Sequence, residues 1–107
     1  MSTERIVMVG YKPLPGKEAK LMHLMKTHVA RLRKEDLVSL REPILMISKS
    51  GVIIEVFGWK SKAAIETAHQ NAVVQQMWAE YAEVCEYIPV GNIEEITNLF
   101  SEFSAVE

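Results

Sequence analysis

The strands available to this chain are apolar on both faces, and nothing else in the sequence restricts its fold as much. In Arg5–Tyr11, Ile6 and Met8 oppose Val7 and Val9. In Pro43–Lys49, Ile44 and Met46 oppose Leu45 and Ile47. In Val52–Trp59, Val52, Ile54 and Val56 oppose Ile53 and Phe57. An antiparallel sheet with one wet face alternates apolar and polar residues. Both faces of this sheet are therefore expected to be covered.

The remaining elements show how one face is covered. Lys12-Pro13-Leu14-Pro15-Gly16 stops the first strand. From Lys17 to Lys34, at about 100° per residue, Leu21, Met22, Met25, Val29 and Leu32 share one stripe, while Lys20, His23 and Lys34 lie away from it. This is an amphipathic helix. Ser50-Gly51 reads as the reversal of a hairpin between the second and third strands. Ser61 caps a helical segment Lys62–Gln70, and Asn71 caps a second one reaching about Glu86. Tyr87–Val90 reads as a fourth strand. Asn92 with Glu95 resembles a capping box for a short helix, trailed by Phe100 and Phe103.

The order β-α-β-β-α-β defines an α+β domain of ferredoxin-like arrangement, an antiparallel sheet with both helices on one face. With 107 residues the chain has room for one domain, 1–107. Two helices cover one face only, and an exposed apolar face of sheet size is rare in monomers. A second copy of the same sheet, hence a homodimer, is the expected cover. The alternative is a monomer whose C-terminal tail folds over the sheet.

A net charge of −2 argues against a dedicated nucleic-acid binder, which concentrates Lys and Arg on one surface. Lys26, Arg31, Arg33 and Lys34 cluster at a helix C-terminus, where cations meet the negative end of the helix dipole. The single Cys85 has no internal disulfide partner. Without a basic neighbour in sequence it reads as an inert core thiol. The opening residues lack the pattern of a cleaved signal, and no apolar run approaches the roughly 20 residues of a membrane span. The expectation is a cytoplasmic protein with no membrane partner.

Gly10 through Gly16-Lys17 has the look of a phosphate loop, but five residues separate its glycines where the motif has four, and Glu18 stands where Ser or Thr would be needed. The intervening prolines also lack N–H donors. His23 and His28 are five residues apart and diverge around the helix, so no metal site is expected.

The titratable candidates are His28, His69 and Glu55. His28 lies at the edge of the first helix's apolar stripe, where a histidine lines a cavity or sits hydrogen-bonded as a structural group. His69 shares a helical face with Ile65 and Ala72, so it is expected to point inward among Ala64, Ala68 and Ala72, facing a pocket or filling close packing. An inward imidazole suits acid–base work near neutral pH. Glu55 sits mid-strand on the side of Ile53, Phe57 and Trp59. It is either a functional base or the partner of Arg5, Arg41 or a lysine. Trp78, Tyr81 and Cys85 follow i, i+3, i+7 spacing, which reads as core before cofactor stack.

The stretch Glu55-Val56-Phe57-Gly58-Trp59-Lys60-Ser61-Lys62-Ala63-Ala64-Ile65 resembles the strand-to-helix junction of antibiotic biosynthesis monooxygenase-type proteins. Ala68-His69-Gln70-Asn71-Ala72-Val73-Val74 resembles that family's second helix. The resemblance implies a dimeric α/β barrel with sheets packed face to face. It also implies cofactor-independent oxidation of a small apolar or aromatic molecule, with neither metal nor flavin. Under it, His69 is the candidate base, Glu55 assists in catalysis, and His28, Trp59, Trp78 and Tyr81 bind substrate. The haem-degrading branch carries an Asn on the first strand and a Trp and His on the second helix. Here the first strand has no Asn, Ala68 stands at the Trp position and Trp78 at the His position, so haem degradation is not implied. A non-catalytic dimeric binding or interaction module is the alternative.

Overall fold

The computed structural model describes residues 2–107 as a small α+β unit: one antiparallel five-stranded sheet and three α-helices. The strands are β1 (Arg5–Pro13), β2 (Ile44–Ile47), β3 (Ile53–Trp59), β4 (Cys85–Ile88) and β5 (Ser104–Ala105), in spatial order β4-β1-β3-β2-β5. The helices are α1 (Glu18–Lys34), α2 (Lys62–Ala68) and α3 (Ala72–Ala82).

Each helix starts and stops for a local reason. The Ser61 hydroxyl accepts from the Ala64 N–H to start α2, and the Asn71 side-chain oxygen accepts from the Val74 N–H to start α3. α1 buries Leu21, Met25, Val29 and Leu32, the stripe set by its sequence, and adds His28 to it. The β2–β3 hairpin turns at Gly51, whose φ of 92° a side chain would oppose. A bidentate pair between Arg31 of α1 and Glu80 of α3, at 2.7 and 3.3 Å, ties the two helices together over the sheet.

Two expectations need correction at the chain's end. The helix stops at Ala82 and β4 begins at Cys85, earlier than Tyr87–Val90. Pairing with β1 sets the register (Tyr11 opposite Tyr87, Pro13 opposite Cys85), and Pro89 ends it by lacking an N–H donor. After β4 there is no α-helix capped by Asn92. Two 3₁₀ turns, at Val90–Asn92 and Glu94–Thr97, take its place, and the Glu95 carboxylate accepts from the Lys49 backbone N–H instead of capping. The tail then pairs with β2 as β5, a strand with no periodic signal in the sequence.

These turns divide the sheet's second face. Ile93 packs on Val52 and Ile54, with Met46, Ile88, Ile96 and Phe103 around it. The other half stays open: Ile6, Met8 and Ile44 are 54%, 45% and 58% exposed. The register joins them into one patch, since Met8 and Ile44 both lie opposite Val56. Its border is a cluster in which Glu4 accepts from Arg41 (2.8 and 3.0 Å) and Ser39 (2.5 Å), bonds that hold its carboxyl down to about 2.

Gly10 is what lets the tail lie flat. A Cβ there would stand 2.5 Å from the Ile88 carbonyl oxygen and 3.2 Å from Ile93 Cδ1. Backbone cannot yield as a side-chain end does. Gly10→Ala is therefore expected to cost about 1–3 kcal/mol, seen in thermal unfolding as a fall of about 4–8 °C per kcal/mol; an unchanged midpoint would show that the tail does not press on β1.

Candidate functional site

On the helix side of the sheet, strand alternation sends Val7, Val9 and Tyr11 of β1 and Ile53, Glu55, Phe57 and Trp59 of β3 toward α1 and α3. The cross-strand pairs Val9–Glu55 and Tyr11–Ile53 set a carboxylate beside a phenol in an otherwise apolar layer. Glu55 is fully buried. An ionised carboxylate there is costly unless it finds partners, and two converge on one oxygen. The Tyr11 hydroxyl donates to Glu55 Oε1 at 2.9 Å, and His28 Nδ1 lies 2.8 Å from the same atom. The histidine contact is close but is not a well-aligned hydrogen bond, and Oε2 has no partner.

That contact fixes the imidazole's role. Two lone pairs would repel at 2.8 Å, so the ring proton is assigned to Nδ1 and the lone pair to Nε2. His28, although buried, forms part of the lining of a cavity of about 170 Å³ between sheet and helices. Aromatic rings make much of its wall: Tyr11, Phe57, Trp59, Trp78 and Tyr87. Val7, Val9, Leu32, Val74 and Met77 complete it. Tyr87, Trp59 and Trp78 are partly or largely exposed and mark the mouth, whereas Tyr11 and His28 are the buried polar end.

Burial, then the charge of Glu55, pushes the Tyr11 hydroxyl far above the usual phenol range. The same two causes, in the same order, raise Tyr81. Tyr87 is pushed up to about 12 by burial first, with Cys85 and Glu55 adding to it. All three phenols stay protonated at neutral pH. The Cys85 thiol, raised to about 11 by burial, donates to the Tyr81 carbonyl oxygen at 3.3 Å and stays a thiol. Among the described residues, no three His, Cys, Asp or Glu side chains converge as metal ligands, and no helix is long and apolar enough to cross a membrane.

The structure brings together some of the residues singled out from sequence and separates others. His28 lines the cavity and contacts a buried acid, without the well-aligned hydrogen bond of its structural reading. Glu55 lies on the side expected, but its partners are His28 and Tyr11 instead of Arg5, Arg41 or a lysine. Arg41 is taken by the Glu4 side chain and Arg5 by the Glu4 carbonyl oxygen. Trp59 and Trp78 line the cavity. Tyr81 lies behind the lining, edge-on to His28 at 5.4 Å, with its hydroxyl unpartnered.

His69 does not point inward. It is exposed at the end of α2, where Nδ1 lies 2.8 Å from the Ile65 carbonyl oxygen, and it meets the cavity only through edge contact with Trp78 at 5.3 Å. The face it was assigned joined Ile65 to Ala72, but those residues belong to different helices. Asn71 restarts the helix and resets its phase. Tyr11, Phe57 and Tyr87 join the lining beyond the candidates of the sequence. Period-two alternation from Val7 and Val9 places Tyr11 on the cavity face; Tyr87 carries no such signal until β4 is in register.

Fold and site together define a small α+β domain with an aromatic cavity closed at its inner end by a His–Glu–Tyr cluster. No family model, curated protein or solved structure matches the chain.

Proposed function

We propose that this chain is a small-molecule enzyme of the antibiotic biosynthesis monooxygenase type, a cofactor-independent oxygenase for a small apolar or aromatic substrate. The observation that carries this is the His28–Glu55 pair at the buried end of an apolar cavity. A carboxylate behind Nδ1 leaves Nε2 as the base on a residue that lines the cavity, the usual arrangement of a histidine base oriented by an acid. A cavity of about 170 Å³ suits a single ring, since aliphatic cavities of about 150 Å³ hold benzene. His28 thus takes the role of base given to His69 from sequence, with Glu55 and Tyr11 positioning it and Trp59 and Trp78 contacting the substrate.

In this scheme Nε2 removes a proton from an activated CH₂ of the substrate, and the carbanion forms a bond to dioxygen. The resulting peroxide takes the proton back from the imidazolium and loses water. The balance is R₂CH₂ + O₂ → R₂C=O + H₂O, with carbon oxidised and dioxygen reduced. The dry apolar wall keeps the anion from solvent protons.

The working form under this proposal is a cytoplasmic homodimer of ferredoxin-like domains, a dimeric α/β barrel. The open patch of Ile6, Met8, Ile44 and Val56 supports it: the tail covers one half of the second face, and a copy of the same patch covers the other. A non-catalytic binding module has one observation in its favour, that Tyr11 and His28 already occupy Glu55 without a ligand.

Dioxygen uptake on single-ring substrates that carry an acidic benzylic CH₂ separates the two. His28→Gln is expected to lower turnover by about 10²–10⁴-fold and His69→Ala to leave it within a few-fold. Binding without uptake in the parent chain would establish the module, and loss confined to His69→Ala would return the base to α2.

A further inference from the structure

Given that the cavity is a ligand site, the reading on which this rests, we infer that its ligand is a small arylalkyl amine held as its ammonium cation. Three features of the cavity point the same way. At its buried end both polar groups offer lone pairs: His28 Nδ1, which carries the assigned proton, lies 2.8 Å from Glu55 Oε1 and the Tyr11 proton is donated to the same oxygen, which leaves His28 Nε2 and the phenol oxygen as acceptors. A ligand must bring the donor. A carboxylate or phosphate would set lone pairs against lone pairs.

The wall is the second feature. Five aromatic rings line a space the size of one ring, and Phe57–Trp59 and Tyr11–Tyr87 stand with centroids 5.4 Å apart. Ring faces carry negative quadrupole potential and attract ammonium groups. Among the described residues no Lys or Arg lines the cavity to compete. Arg31, whose charge reaches Tyr81, is matched by its bidentate bond to Glu80.

The third feature is the buried charge behind the wall. Glu55 is inaccessible to solvent, its Oε2 is unpartnered, and its field reaches Tyr11, Tyr81 and Tyr87. In a low-dielectric site that field favours a cation and opposes an anion. A neutral phenol gains the hydrogen bond but neither electrostatic contribution.

Both tryptophans of the chain, Trp59 and Trp78, line the cavity, so intrinsic fluorescence reports occupancy directly. The full chain is titrated at neutral pH and fixed ionic strength with benzylammonium, benzyl alcohol and benzoate, probes of nearly equal size. Benzylammonium is expected to bind about tenfold more tightly than benzyl alcohol, and benzoate not measurably. Benzyl alcohol binding as well or better, or benzoate binding at all, would overturn the amine assignment and leave the cavity a ligand site. No response to any of the three would overturn the ligand site itself. Glu55→Gln is expected to remove the advantage of the ammonium while keeping the alcohol's affinity. Should that variant fail to fold, Trp78→Leu, followed by Trp59 emission and calorimetry, is expected to weaken the ammonium several-fold more than the alcohol. An ammonium advantage unchanged in a folded variant would place its binding outside this cavity.

Discussion

Replacing His28 with Leu is expected to destabilise the fold by about 1–3 kcal/mol, the cost of leaving a buried carboxylate with one polar neighbour fewer. Glu55 is wholly inside the sheet–helix layer, and only Tyr11 would remain on its carboxylate. Against a total stability of about 5–15 kcal/mol, that loss is a sizeable share of what holds the fold. The double variant His28→Leu/Glu55→Leu should recover most of it, because replacing both members of a buried polar pair by apolar groups is often nearly neutral. Urea unfolding of the parent chain, both single variants and the double closes the cycle. A coupling energy near zero would mean that the 2.8 Å approach of Nδ1 to Oε1 contributes nothing to the fold. Strong coupling with full stability in the double variant would leave function as the reason for keeping a costly pair in the core.

Under the proposed homodimer, Met8→Glu is expected to shift the chain to a monomer, with the dissociation constant rising about a thousandfold or more. A two-fold interface places the substituted residue on both sides, so each copy buries an unpaired carboxylate, at several kcal/mol apiece. Met8 lies opposite Val56, in the middle of the patch that the tail leaves open. Sedimentation equilibrium at several concentrations reads the mass directly. Lys20→Glu, on the outward side of α1, serves as the control and should leave the mass unchanged. A parent chain already monomeric at high concentration would refute the homodimer and leave the open patch without a cover.

The sequence pattern was most legible where burial follows a strict period. The stripe of α1, the two-faced strands, the Ser61 and Asn71 caps and the Ser50-Gly51 reversal all appear where their spacing puts them, because each depends on residues within a turn or two of one another. Legibility ended where one segment's position depends on another. β4 begins at Cys85 because β1 sets its register. β5 exists because β2 has a free edge. The tail's turns exist because Gly10 leaves room for Ile93.

The candidate site divides along the same line. That Glu55 would lie among apolar neighbours, and that His28 would sit at the margin of a buried stripe, follow from alternation and helical phase alone. Helical phase failed at His69, since it cannot be carried across a helix break. Which base meets which acid was a tertiary decision: α1 crosses β3 at the height that brings residue 28 to residue 55, and β1 adds Tyr11 from the neighbouring strand. Those three residues are separated by 17 and 27 positions in the chain (11 to 28 to 55), well beyond the reach of any local rule. The sequence by itself determined the layers and their apolar faces. Packing of those layers alone decided that one buried carboxylate, one imidazole and one phenol would close the end of an aromatic cavity.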